Sequence, residues 1–189
     1  MKMTGEYRIP APRQTVWDAL NDPEILKQCI PGCEEMTRTE EGGFEAKVTA
    51  KVGPVRAKFG GKVELSDLDP PNGYTISGQG TGGAAGFAKG GAKVSLADDG
   101  GETVLTYSVD ASVGGKLAQI GSRLIDATAK KMAEDFFSKF AELVGGGAPV
   151  TTEIAGEPAK PVTAGGLPAY IWVGGIIGIV IILLLVFAR

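Results

Sequence analysis

The sequence predicts an α+β chain of the helix-grip type, in which a curved antiparallel sheet wraps one long C-terminal helix, followed by a flexible linker and one transmembrane helix. Three observations carry that reading. Apolar and polar residues alternate with period two through most of residues 44–113, the signature of half-buried strands. A segment of helical period, Gly115 to Val144, follows and stops at Gly145. Further on, Ala169 to Ala188 runs for twenty residues without a charge. The 189 residues thus divide into a domain over 1–144, a Gly/Pro/Ala linker over 145–168 and a membrane anchor over 169–189.

Taken in order, Lys2 to Ile9 alternates weakly and reads as a strand halted by Pro10 and Pro12, after which Val16, Trp17 and Leu20 recur at helical spacing. Asp22-Pro23 has the form of an N-cap with proline at the first helical position, and Ile25 and Leu26 give this second helix its apolar side. Ile30-Pro31-Gly32 ends it. Phe44, Ala46, Val48, Ala50 and Val52 alternate with Glu45, Lys47, Thr49 and Lys51, and after Gly53-Pro54 the pattern resumes at Val55, Ala57 and Phe59. Gly60-Gly61 reads as a bulge before Val63 and Leu65, and Pro70-Pro71-Asn72-Gly73 as a turn into Tyr74, Ile76 and Gly78. Gly78 to Gly91 is expected to be a flexible hairpin, with Phe87 its one large apolar residue. Ala92, Val94 and Leu96, the turn Asp98-Asp99-Gly100-Gly101, and Leu105 to Val113 complete six or seven strands. In the final helix Leu117, Ile120, Leu124, Thr128, Met132, Phe136, Phe140 and Leu143 fall near one face, the face expected to be gripped.

Composition removes several kinds of chemistry. The chain has no histidine, which excludes Ser-His-Asp and Cys-His catalysis and His-ligated metals. Its net charge is -3, with bases scattered among acids along the sequence, so no footprint for nucleic acid is expected. Cys29 and Cys33 flank Ile-Pro-Gly at a spacing wider than CxxC, leave too few ligands for zinc, and read as free thiols. Gly78, Gly80 and Gly83 match GxGxxG, but a strand pattern rather than a helix follows, which argues against a dinucleotide. Glu34-Glu35, Glu40-Glu41 and Asp98-Asp99 read as solvated turns. The expectation is a protein that is not an enzyme, with no catalytic residue, cofactor or metal.

The inward residues are unusually small. Ala46, Ala50, Ala57, Gly78, Ala92 and Ala111 stand on the face assigned to the interior, among Phe44, Phe59 and Tyr107. Interiors pack at a density of about 0.75, so such a face either collapses onto the helix or encloses an apolar cavity whose guest is lipophilic. The lining expected for a cavity is Val48, Val52, Ala57, Phe59, Phe87, Tyr107, Val109, Ala111, Leu117, Ile120 and Leu124. Tyr107 is the donor expected to meet a ring carbonyl of the guest.

Thirteen residues of Ala169 to Ala188 are Ile, Leu, Val or Phe. At about 1.5 Å per residue the segment makes a helix of roughly 30 Å, the thickness of a bilayer core. Tyr170 and Trp172 fall at one interface, and Gly174 and Gly178 form a GxxxG face that allows two spans to pair as a homodimer. Met1 to Gln14 lacks the apolar run of a secretory signal, so the domain is expected in the cytoplasm, tethered to the cytoplasmic membrane. The linker between them reaches on the order of 25–30 Å.

The segment Pro10 to Pro23, followed by Leu26, Cys29-Ile30-Pro31-Gly32-Cys33 and the glycine-rich Gly78 to Gly91 running into Ala92-Lys93-Val94, resembles the family of the carbon monoxide dehydrogenase G subunit, within the START/Bet v 1-like (SRPBCC) superfamily. The likeness spans Met3 to Val144. Val16, Trp17, Asp22, Pro23 and Leu26 speak for the fold, whereas Cys-Ile-Pro-Gly-Cys and the glycine stretch are more specific. The resemblance implies an accessory protein without catalytic residues that associates a molybdenum-containing carbon monoxide dehydrogenase, or a related molybdenum hydroxylase, with the cytoplasmic membrane. Combined with an apolar cavity, it makes an isoprenoid quinone the expected guest. A purely structural anchor, or a general lipid-binding module without a part in electron transfer, is the other reading.

Overall fold

The computed structural model describes residues 1–146. The expected span over 169–189, its Gly174/Gly178 face and all of the expected linker past Gly146 lie outside the described residues. Among the described residues no helix is long and apolar enough to cross a membrane.

The elements run β1 (Lys2–Ile9), α1 (Arg13–Leu20), α2 (Pro23–Cys29), β2 (Cys33–Arg38), β3 (Phe44–Val52), β4 (Val55–Asp69), β5 (Gly73–Thr81), β6 (Phe87–Asp99), β7 (Glu102–Gly114), α3 (Lys116–Gln119) and α4 (Ser122–Val144). All strands pair antiparallel in one seven-stranded sheet of order β1-β7-β6-β5-β4-β3-β2. Five consecutive hairpins build it, and β1 closes against β7, with Lys2 opposite Asp110 and Ile9 opposite Thr103. α2 starts where the sequence places it: the Asp22 carboxylate accepts the Glu24 amide at 2.8 Å, and Pro23 occupies the first turn. In β3 burial alternates without a fault from Phe44 to Val52, as a sheet with one wet face requires.

The core lies between the sheet and the C-terminal half of α4. Phe136, Phe137 and Phe140 are fully buried there, and Phe137 stacks on Tyr7 of β1 with ring centroids 4.1 Å apart. Trp17 of α1 meets Tyr74 of β5 edge to face at 5.4 Å. This is the expected grip, achieved with a displaced helix face. The residues that α4 buries are Ile125, Ala129, Ala133, Phe136, Phe137, Phe140 and Ala141, whereas Leu124 and Leu143 are exposed. A break causes the displacement. The expected single helix from Gly115 is two, because Gly121 takes φ +94° between α3 and α4, and α4 starts afresh with the stripe one residue round.

Two further differences concern the sheet. Cys33–Arg38, for which no strand is expected, forms the edge strand β2; it buries only Met36, so it lacks the alternation that marks a strand. No bulge occurs at Gly60-Gly61, where β4 stays in register with Lys47 and Ala46 of β3. Phe59, Gly61 and Val63 already share one face, so the alternation has no phase shift to absorb. The irregularity lies between Ser66 and Asp69, beside Asp67 at φ +50°.

Candidate functional site

On the inner face of the sheet the ladder places small residues in one continuous patch. Ala46 lies opposite Gly61, Gly61 opposite Gly80, Gly78 opposite Gly90 and Gly90 opposite Ala111, so the patch crosses from β3 to β7. α4 adds buried Ala129 and Ala133. Both layers of the interior are therefore built in part from residues with one side-chain carbon or none.

Aromatic rings recover some of that space by lying across glycines on the neighbouring strand or loop. A Cβ on Gly5 would fall on the Tyr107 hydroxyl, and one on Gly82 would fall on the Phe59 ring. Tyr107 and Tyr7 share a hydrogen bond, and burial drives the Tyr107 phenol above its ordinary range despite it. Tyr74 is raised for the same reason, burial alone. The hydroxyl expected to meet a guest thus already has a partner inside the protein.

The residues expected as lining separate into two groups. Val48, Val52, Phe59, Tyr107, Val109, Ala111 and Leu117 are buried, and Ala57 is half-buried on the same face of β4. Ile120, Leu124 and Phe87 stand at one end of the molecule instead. Leu124 and Phe87 are 42% and 48% exposed, and Ile120 and Leu124 cover the β3–β4 turn, where a Cβ on Gly53 would lie 2.7 Å from Leu124 Cδ2.

Phe87 borders a recess of about 680 Å³ lined also by Gln79, Thr81, Gly83, Ala84, Gly86, Ala88, Lys89, Gly115, Lys116 and Gln119. Much of the expected Gly78 to Gly91 hairpin is ladder, since β5 continues to Thr81 and β6 begins at Phe87. Only Gly82 to Gly86 forms the loop. It folds on itself through Gly82 N–H to Gly86 O at 3.0 Å and the Thr81 hydroxyl to Gly86 O at 3.2 Å. GxGxxG is therefore strand and turn here, with none of its glycines opening a long helix.

The remaining polar groups offer little chemistry. Burial pushes Cys29 up to about 12 and Cys33 up to about 11, and both are free thiols, so neither is a nucleophile at neutral pH. No group of three or more metal-ligating side chains occurs among the described residues. Glu34 and Glu35 lie on β2, not in a turn, and pair with Lys58 and Lys47 at 2.7 Å each. Sequence reasoning missed Asp126, whose Oδ1 is buried without a hydrogen-bond partner; nothing in Ile125-Asp126-Ala127 distinguishes an inward acid from an outward one.

The sequence profile of the carbon monoxide dehydrogenase G subunit (CoxG) matches residues 5–145. No protein of curated function matches the chain by sequence. A solved conserved protein from Geobacillus kaustophilus is 30% identical with a TM-score of 0.73, and the match covers 79% of this chain and 99% of that one. Ara h 8.0201 is 18% identical at a TM-score of 0.53, over 76% of this chain and 97% of that one. A protein from Thermus thermophilus is 15% identical at a TM-score of 0.51, with the same coverage. The last two establish only the fold, which is START/Bet v 1-like. With the profile running from β1 to the end of α4, the chain belongs to the CoxG family, that of the carbon monoxide dehydrogenase G subunit.

Proposed function

We propose that the chain is a non-enzymatic binding module, tethered to the cytoplasmic membrane by residues 169–189 with its domain in the cytoplasm. It takes up a lipophilic molecule, an isoprenoid quinone, and brings a carbon monoxide dehydrogenase or related molybdenum hydroxylase to the membrane. The observation that carries the binding part is the patch of Ala and Gly across the inner sheet face, beside a recess bordered by Phe87 and Ala88. Burying an isoprenoid tail recovers about 25 cal/mol per Å² of apolar surface. A few hundred square ångströms would offset several kcal/mol of the cost of leaving lipid, so uptake and release both stay rapid. An oxidising enzyme needs an electron acceptor, and quinones are the lipophilic acceptors that membranes hold. The family membership supports the partner.

Organic extraction of the chain ended at Gly146, followed by mass spectrometry, is the test. Independent folding of a domain of this extent is supported by the Geobacillus kaustophilus protein, a solved chain that the match covers over 99% of its length. Native protein should carry a quinone, and Ala111→Phe, which fills the patch opposite Gly90, should carry none while staying folded. Empty native protein, or an equally loaded variant, overturns the reading. The purely structural anchor is then what remains, and the rings lying over Gly5 and Gly82 favour it.

A further inference from the structure

Charges that are scattered along the sequence gather in space. Three segments meet at the end of the molecule where β3, β5 and β7 finish: the β3–β4 turn, the β5–β6 loop and the β7–α3–α4 connection. Leu124 and Ile120 sit against Gly53, and Gly86 abuts Gly115. Residues 51–57, 79–91 and 112–125 contain no Asp or Glu. They carry Lys51, Arg56, Lys89, Lys116 and Arg123, all exposed, and none of the five forms an ion pair with a described residue.

Elsewhere on the sheet lysines are matched with acids: Lys47 with Glu35, Lys58 with Glu34, Lys62 with Glu41. At this rim the arrangement is the reverse. Lys51 and Arg56 face each other directly across the β3–β4 ladder, and like charges opposite one another destabilise a sheet. The opposite end of the strands carries the acids, with Glu40 and Glu41 in the β2–β3 turn, Asp67 and Asp69 before β5, and Asp98 and Asp99 before β7. Of the four large apolar residues that the described chain exposes, two, Phe87 and Leu124, belong to the basic rim.

We propose that this rim is a docking surface for an anionic phospholipid bilayer, with Phe87 and Leu124 entering the headgroup layer and the five cations facing lipid phosphates. A protein partner would need to present acids to five cations and an apolar surface to two side chains, whereas an anionic leaflet supplies both at once. The inference deepens the proposed function, on which it rests for its purpose: the docked rim would turn the recess lined by Phe87 and Lys116 toward the lipid from which the guest comes.

The test is co-sedimentation of the chain ended at Gly146 with phosphatidylcholine vesicles with and without phosphatidylglycerol. Binding should require phosphatidylglycerol and disappear in high salt. Lys89→Ala, Lys116→Ala and Arg123→Ala should each weaken partitioning about five-fold, the worth of one cation near a charged leaflet. Phe87→Ser and Leu124→Ser should weaken it too, and Lys139→Ala, away from the rim on α4, should leave it unchanged. Absence of binding, equal binding to uncharged vesicles, or an equal loss in Lys139→Ala overturns the inference. So does a set of rim variants that bind vesicles normally but fail to bind an acidic protein partner. A native domain that carries a quinone yet ignores anionic vesicles defeats this inference alone, and one that binds vesicles but is empty defeats the proposed function alone.

Discussion

Cys29 and Cys33 are set apart from ordinary thiols by where the chain puts them, one buried at the last position of α2 and the other at the start of the edge strand. Their raised values have a consequence for stability. In the unfolded chain a thiol ionises near its ordinary value of 9.0, whereas the folded protein holds these two protonated to about 12 and 11. Between those limits the unfolded state binds fewer protons than the native one, so stability is intact below pH 9 and falls as pH rises toward 11 and 12. Each group can contribute up to about 1.4 kcal/mol per pH unit. Denaturation midpoints measured from pH 8 to 11 should decline, and Cys29→Ala should make the decline shallower. A midpoint flat to pH 11 in the native protein would contradict the burial of Cys29 and the partial burial of Cys33. At this scale the Asp22 cap was fully legible, because a cap is local: one carboxylate, one proline and the next two amides. The hydrogen bond between Tyr7 and Tyr107 was not, since it joins diagonal neighbours on two strands that meet only when β1 closes on β7.

Among the elements, α4 shows most clearly what a pattern can and cannot specify. A helical period over Gly115 to Val144 identifies a helix but not its phase, and one glycine in an unusual conformation resets that phase. Gly121, at φ +94° and ψ 140°, occupies backbone space that other residues enter only at a cost of about 1–3 kcal/mol. Gly121→Ala should therefore lower the unfolding free energy by that order in a urea titration. A neutral substitution would show that α3 and α4 can join without cost. The strands were readable wherever one face is dry and the other wet, as in β3, and unreadable in β2, whose neighbour covers one side only. Which residues face inward was legible where parity decides it, in Val48, Val109 and Ala111. That direction was not legible where the helix break decides it, which is why Leu124 stands exposed on the rim.

For the whole molecule, α4 carries the chain away from the basic rim. Its 23 residues span about 35 Å at 1.5 Å per residue, and Gly145 arrives beside Pro10 at the far end. Any tether that begins there leaves from the side opposite the rim and must turn back for the rim to meet the same bilayer. The two attachments should then be separable. Deleting Leu167 to Arg189 from the full chain should leave the domain folded and shift it from the membrane fraction to the supernatant after a salt wash. Protein retained in the washed membranes would place the stable attachment in the domain itself.

The closing pair of the sheet also separates the order of synthesis from the order of assembly. β2 to β7 follow one another as hairpins, each strand finding its neighbour a few residues away, but β1 must wait for a partner about a hundred residues later, Lys2 for Asp110. Contacts of such long sequence separation form slowly because the loop between them must be closed first. The first strand to leave the ribosome is thus the last to be paired. Until β7 and then α4 emerge, β1 lacks both the strand it pairs with and the helix whose Phe137 stacks on Tyr7. The domain acquires its interior in one late, cooperative step, when its first and last elements meet.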